Sequence, residues 1–213
     1  MDNTPNNLRS YHSLRERAVT EFIEKKSRFI SCAAPVATQE EALAVIAQIR
    51  AEHPRASHNV WAYSLREDNT ARFSDDGEPS GTAGMPTLEV IKKSGLVDTV
   101  CVTTRYFGGI MLGAAGLLRT YSHSAKLALD LGGILLYDIF CDVLLECGYS
   151  DYQKIQPLMD NYKLAVLDTK FAESVVVEVR VLWSDYDRFH ADMVELTNGR
   201  ASILMIDEGL HGI

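Results

Sequence analysis

Residues Val97–Phe107 (VDTVCVTTRYF) form an apolar run rich in Val, Thr, Tyr and Phe, the composition of a strand. Gly108 and Gly109 end that run. Gly113 and Gly116 follow, and a helix-period segment continues to Leu131. The stretch RYFGGIMLGAAGLLRTY, Arg105 to Tyr121, thus encodes strand, glycine-rich turn and helix, and the rest of the chain is organised around it. Glycines at such a turn permit positive φ and close approach of another backbone or a ligand. The start of the following helix offers unpaired N–H groups and partial positive charge, which suits a phosphate or a carboxylate. Tight packing of helix on sheet explains the same glycines. The spacing is neither GxxxxGK[ST] nor a GxGxxG followed by a ribose-binding acid, so a standard P-loop or Rossmann site is not expected.

The segments before the turn alternate strands and helices. Glu21–Val36 reads as two strands about a Lys25–Lys26 turn. Thr38 opens a helix as N-cap, with Glu41 completing a capping box. Ala42, Val45, Ile46 and Ile49 give that helix one buried face, and Pro54 marks its end. His58–Leu65 and Ala71–Ser74 are strands joined by a turn at Arg66–Asn69, and Asp75–Pro79 (DDGEP) is a further turn. Ser80 or Thr82 is expected to cap a short helix to about Lys93. In the helix after the glycine-rich turn, Leu118, Tyr121, Ala125 and Ala128 make an apolar stripe. Arg119, His123, Lys126 and Asp130 fall on another face, and Gly132–Gly133 closes the helix.

The second half has its own rhythm. Leu135–Glu146 is a strand, and Ser150 with Gln153 makes a second capping box. Ile155, Leu158, Met159 and Tyr162 give a helical face. Leu164–Phe171 and Ser174–Trp183 form a hairpin, whose valines at 175, 177, 179 and 181 alternate with polar residues and imply one buried side. Ser184 is expected to cap the next helix, with Phe189, Met193 and Leu196 inward. Ala201–Ile206 is the last strand. The order βαββαβ is that of a ferredoxin-like sandwich. The chain therefore divides into a flexible tail over 1–18, an α+β domain over 19–134 and a ferredoxin-like domain over 135–213.

Charge follows the same division. Residues 1–134 hold 15 basic and 15 acidic side chains, whereas 135–213 hold 6 and 14, so the second half carries the whole net charge of −8. Any nucleic-acid contact must then come from a local patch on the first half. No apolar run approaches the roughly 18 residues of a membrane span. The polar start has no signal-peptide core. Cys32, Cys101, Cys141 and Cys147 lack a CxxC pair and read as buried thiols of a reducing, cytoplasmic compartment.

Three blocks resemble the YigZ/IMPACT family: the glycine-rich stretch itself, DDGEPSGTAGMP (Asp75–Pro86) and SHNVWAYSL (Ser57–Leu65). They lie in the family's order, and the resemblance extends over about Val19–Glu208. It implies an N-terminal α+β domain similar to the fourth domain of elongation factor G. A smaller C-terminal domain similar to that factor's fifth domain would follow, as in the bacterial branch. It also implies a link to translation, because eukaryotic members bind a regulator of the starvation-activated kinase that phosphorylates an initiation factor. In two places the chain departs from the family pattern. Met111 stands in GGxxLG where Lys is common, and Met85 follows GTAG where a basic residue is frequent. Both departures remove phosphate-facing charge and favour a protein partner.

The candidate binding residues are Arg105, Tyr106, Gly108, Gly109, Gly113, Gly116, Arg119 and His123, with Asp75, Asp76, Glu78 and His58 as secondary candidates. Arg grips phosphate or carboxylate in planar, bidentate fashion. The alternative for Arg105 and Arg119 is a structural network with Asp75 or Asp76. The three carboxylates of the DDGEP turn suit a divalent ion through oxygen ligands, or simply a turn held by side-chain hydrogen bonds. Trp61, Tyr63, Tyr106 and Phe107 offer stacking faces for bases or belong to the core. No catalytic residue, metal site or cofactor is expected. The leading expectation is a non-enzymatic factor binding a ribosomal or RNA surface. A protein-binding stress-response regulator and a small phosphate-handling enzyme are the alternatives. For the last, no phosphoryl-transfer constellation is assignable.

Overall fold

The computed structural model describes residues 9–66 and 69–212. Residues 1–8 of the expected tail, and part of the turn at Arg66–Asn69, lie outside the described residues. The chain separates into two compact units, one formed by Tyr11–Leu136 and the other by Tyr137 onward together with residues 9 and 10.

The first unit is an antiparallel sheet with helices on both faces. Its elements are β1 (Tyr11–Leu14), β2 (Ala18–Glu24), β3 (Ser27–Pro35), α1 (Gln39–Glu52), β4 (His58–Ser64) and β5 (Ala71–Ser74). They continue with α2 (Gly84–Lys93), β6 (Thr99–Tyr106) and α3 (Ala114–Gly132). The order across the sheet is β2-β3-β6-β4-β5, and every neighbouring pair is antiparallel. Part of the segment expected to be a flexible tail is ordered: β1 buries Ser13 and Leu14, and the backbone of His12 accepts a hydrogen bond from Val97 N–H. An apolar anchor hidden behind two polar residues accounts for the difference.

Strand alternation decides which residues meet which helix. Cys32, Ala34, Tyr63, Val100 and Val102 face α1 and pack on Ala42, Ile46 and Ile49. The opposite face presents Ala33, Ala62 and Cys101 to Leu88, Ile91, Ala125 and Ala128 of α2 and α3. Because both faces are covered, β6 is buried along nearly its whole length, so it reads as a continuous apolar run rather than an alternating one. Burial pushes the Cys101 thiol up to about 12, which leaves it an inert protonated core group.

The local start signals behave unevenly. Thr38 caps α1, its Oγ1 accepting from Glu41 N–H at 3.2 Å, and Glu41 accepts in return from Ala37 N–H at 2.6 Å. Lys25 and Lys26 form the expected β2–β3 turn with both φ positive, 45° and 65°. Neither Ser80 nor Thr82 caps α2. Asp75 does so from nine residues upstream, accepting from Ala83 and Gly84 N–H at 3.0 and 2.8 Å. The stripe of α3 holds at Tyr121, Ala125 and Ala128, all buried, but its first member is Leu117 rather than Leu118, which is 48 % exposed.

The second unit follows the order βαββαβ: β7 (Ile134–Cys147), α4 (Tyr149–Met159), β8 (Leu164–Phe171), β9 (Val175–Leu182), α5 (Trp183–Thr197) and β10 (Ser202–Gly212). Its strands run β10-β7-β9-β8, all antiparallel. The valines at 175, 177, 179 and 181 of β9 are all buried and the residues between them half-buried, as expected. These valines join Ile155, Phe189 and Met193 in one core. Ser150 and Ser184 cap nothing: α4 starts after Gly148 and α5 after Leu182, so both serines lie inside the helices. No helix among the described residues is long and apolar enough to cross a membrane.

Candidate functional site

Arg105 stands near the end of β6, on the face covered by α3, and is 5 % exposed. Its Nη1 donates to Glu78 Oε1 at 2.6 Å, and its Nη2 reaches Ser27 Oγ at 3.4 Å. The guanidinium lies near two aromatic rings, 5.5 Å from the centroid of Phe29 and 5.4 Å from that of Phe107. Its Nε–H, although buried, has no partner among the described residues. The partner expected among Asp75 and Asp76 is therefore Glu78. The turn geometry explains this. Asp76 and Gly77 take positive φ, 45° and 87°, which reverses the chain so that Glu78 points inward while its two neighbours do not.

Glu78 is itself 8 % exposed. Its Oε1 accepts from Arg105 and, at 2.8 Å, from the hydroxyl of Tyr121, with His58 Nε2 at 3.8 Å. All these contacts fall on Oε1, and no donor among the described residues is bonded to Oε2. Burial, reinforced by the neighbouring carboxylate, raises the Tyr121 phenol well above its ordinary range, so it remains a donor to Glu78. His58 Nδ1 is 2.8 Å from the carbonyl oxygen of Asp76. A carbonyl only accepts, so Nδ1 carries the proton, and in the neutral ring Nε2 is an acceptor.

The other two carboxylates of the turn diverge from Glu78. Asp75 caps α2 and also accepts from Gly81 N–H at 2.8 Å. Asp76 accepts from Arg50 Nη2 and from Asn59 N–H, each at 2.6 Å. Among the described residues no cluster of three metal-ligating side chains is placed to hold an ion, and each of the three carboxylates of the turn accepts from its own set of donors.

The glycines also divide. Gly108 is a packing residue: a Cβ there would lie 2.0 Å from the carbonyl carbon and oxygen of Lys26. Gly113 is the N-cap of α3 with φ 74°, and no side chain among the described residues caps that helix. Its first N–H groups therefore lack intrahelical partners. Gly109 and Gly116 lie between and just after these two in the same turn and first helical turn.

Arg105 and Arg119 bracket this segment but do not converge. Arg105 lines a cavity of about 330 Å³ together with His58, Glu78, Phe107, Met111, Gly113 and Leu117. Arg119 and His123 are exposed and line a separate groove of about 220 Å³ with Phe22, Glu24, Lys25 and Gly116. The ring of Phe22 meets that of His123 edge-on at 5.2 Å. Lys25 and Phe22 belong to this groove but were not among the sequence candidates. The basic turn Lys25–Lys26 was the signal available for them. Tyr106 points to the other face of the sheet, where its hydroxyl is 3.0 Å from His53 Nδ1. Of the four aromatics considered for stacking, Tyr63 is core and packs on Trp61, whereas Phe107 is 50 % exposed.

Comparison with known proteins places both units. The Impact N-terminal domain model matches residues 25–129, which include the larger cavity and all of the smaller groove except Phe22 and Glu24, and a domain of unknown function (DUF1949) matches 145–200. The chain is similar to the IMPACT family member YvyE of Bacillus subtilis (strain 168), at 39 % identity over 92 % of this chain and 91 % of that protein. It is similar to the IMPACT family member YigZ of Escherichia coli (strain K12), at 32 % identity over 86 % of this chain and 92 % of that one. A solved structure described as a hypothetical protein matches 94 % of this chain and 98 % of its own, at 29 % identity and a TM-score of 0.60.

Proposed function

Because the chain belongs to the IMPACT family, we propose that it is a non-enzymatic factor linked to translation or its regulation, whose first domain binds a ribosomal or RNA surface beside α3. The observation that carries this reading is the groove of Lys25, Arg119 and His123, open to solvent, in which the cations outnumber the single carboxylate of Glu24 and flank the ring of Phe22. Exposed cations around an aromatic face suit a nucleic-acid backbone and its bases. The groove replaces Arg105, which is internally paired, as the point of polar contact. The likeness of the two domains to the fourth and fifth domains of elongation factor G belongs to the same reading.

Co-sedimentation with ribosomes and subunits tests it. Pelleting falls as salt rises, and the Lys25→Ala/Arg119→Ala variant pellets more weakly, with a salt slope smaller by about 2, one per phosphate contact removed. A folded protein that stays in the supernatant at low salt overturns the reading.

A protein partner without RNA is the second reading. It is favoured by the exposed apolar tip of the glycine-rich turn, where Phe107, Ile110 and Met111 are 50, 41 and 86 % exposed. Such a complex survives the salt steps that release RNA. A phosphate-handling enzyme has less support, because the start of α3 shares its cavity with the Glu78 carboxylate.

A further inference from the structure

The larger cavity has walls of three kinds. The first is acceptors: Glu78, buried and with Oε2 bonded to no donor among the described residues, and His58, whose Nε2 is an acceptor in the neutral ring. The second is the uncapped start of α3 at Gly113 and Ala114, which offers N–H donors. The third is apolar surface from Phe107, Met111 and Leu117. The Nε–H of Arg105, buried in the same wall without a partner among the described residues, is costly to leave unpaired. The ion pair of Arg105 with Glu78 leaves the site balanced in charge. A ligand of net charge would upset that balance, whereas a ligand carrying both charges preserves it.

We infer that this cavity binds a small apolar zwitterion of the amino-acid class, with its ammonium on Glu78 and His58 and its carboxylate at the start of α3. The apolar side chain lies against Phe107, Met111 and Leu117. The volume, about 330 Å³, is at the small end of ligand pockets and suits a single amino acid rather than a nucleotide. The inference is independent of the RNA reading, since that contact uses the other groove.

The test is titration of the full chain, by calorimetry and by melting temperature, with leucine, methionine and phenylalanine. Leucinamide, 4-methylpentanoate and inorganic phosphate serve as single-charge probes. At least one of the amino acids binds and raises the melting temperature, and each single-charge probe binds at least tenfold more weakly. Glu78→Gln weakens binding at least tenfold. Because Glu78→Gln touches a buried pair and risks unfolding, Met111→Glu provides the second arm. It changes an exposed rim residue, leaves the fold intact and weakens binding at least tenfold by repelling the carboxylate. Binding of phosphate or 4-methylpentanoate as strong as that of the amino acids makes this an anion site and overturns the inference. Equal binding of leucinamide overturns the carboxylate subsite and with it the zwitterion. No binding of any of the three amino acids overturns the inference outright, whatever the ribosome experiment shows.

Discussion

Each domain contains an arginine–carboxylate pair between distant parts of its sequence, and the two pairs are built differently. In the first domain Arg105 and Glu78 have side chains only 6 and 3 % exposed, share one 2.6 Å contact and leave the buried Arg105 Nε–H without a partner among the described residues. In the second, Arg180 and Asp142 are cross-strand partners on β9 and β7. They meet in a two-bond fork, both distances 2.7 Å, with side chains 27 and 12 % exposed. Alternation along β9 puts Val179 and Val181 in the core and Arg180 on the sheet's other side. A satisfied fork near water is a strut. A buried pair with hydrogen-bonding capacity left over is a poor strut, and leftover capacity beside a cavity is the mark of a site.

The largest effect expected from this contrast is that of Arg105→Ala. It leaves Glu78 buried without its counter-charge and costs about 3–5 kcal/mol, read by chemical denaturation of the whole chain. A loss below about 1 kcal/mol, the range of exposed pairs, would erase the distinction. Arg180→Ala is the intermediate case and costs about 1 kcal/mol or less at neutral pH, since solvent screens the pair.

Its pH dependence sharpens the comparison. The hydrogen bonds from Arg180 hold the Asp142 carboxyl below its ordinary 3.8. The folded state therefore binds that proton less readily than the unfolded state, and the stabilisation is present above pH 3.8 and lost as pH falls through the folded value. The stability gap between wild type and Arg180→Ala accordingly closes below pH 3.8, which acid titrations of both proteins measure. The smallest effect is that of Met111→Ser, within about 0.5 kcal/mol, because Met111 is 86 % exposed and packs in no core.

The strands and most helix ranges were legible because covered and half-covered strands leave different patterns, as in β6 and β9. The Thr38 cap was legible because its partner Glu41 is three residues away. The start of α2 was not, because its capping group, Asp75, comes from the preceding turn rather than from the Ser and Thr beside the helix. Leu117 and Leu118 are adjacent leucines, so periodicity alone did not fix which one turns inward; packing on Phe29 and Val60 did. The choice of Glu78 over Asp75 and Asp76 was invisible for a similar reason. Three neighbouring carboxylates are chemically alike, and only the left-handed step at Asp76 and Gly77 selects which enters the core. The separation of Arg105 from Arg119 followed the same rule: the sequence places both beside the glycines, while strand and helix geometry points one inward and the other out.

Gly108 also carries a constraint on inheritance. A side chain of any size there would collide with the Lys26 carbonyl, itself part of the main chain and unable to step aside. Every amino acid one base change away from a glycine codon brings such a side chain. For this position the genetic code offers silent exchange and little else, while Gly109 next door meets nothing within 4 Å and is limited only by its φ of 83°. The tip of the β2–β3 turn and the entry to α3 are thereby fixed against each other by the absence of a single carbon atom.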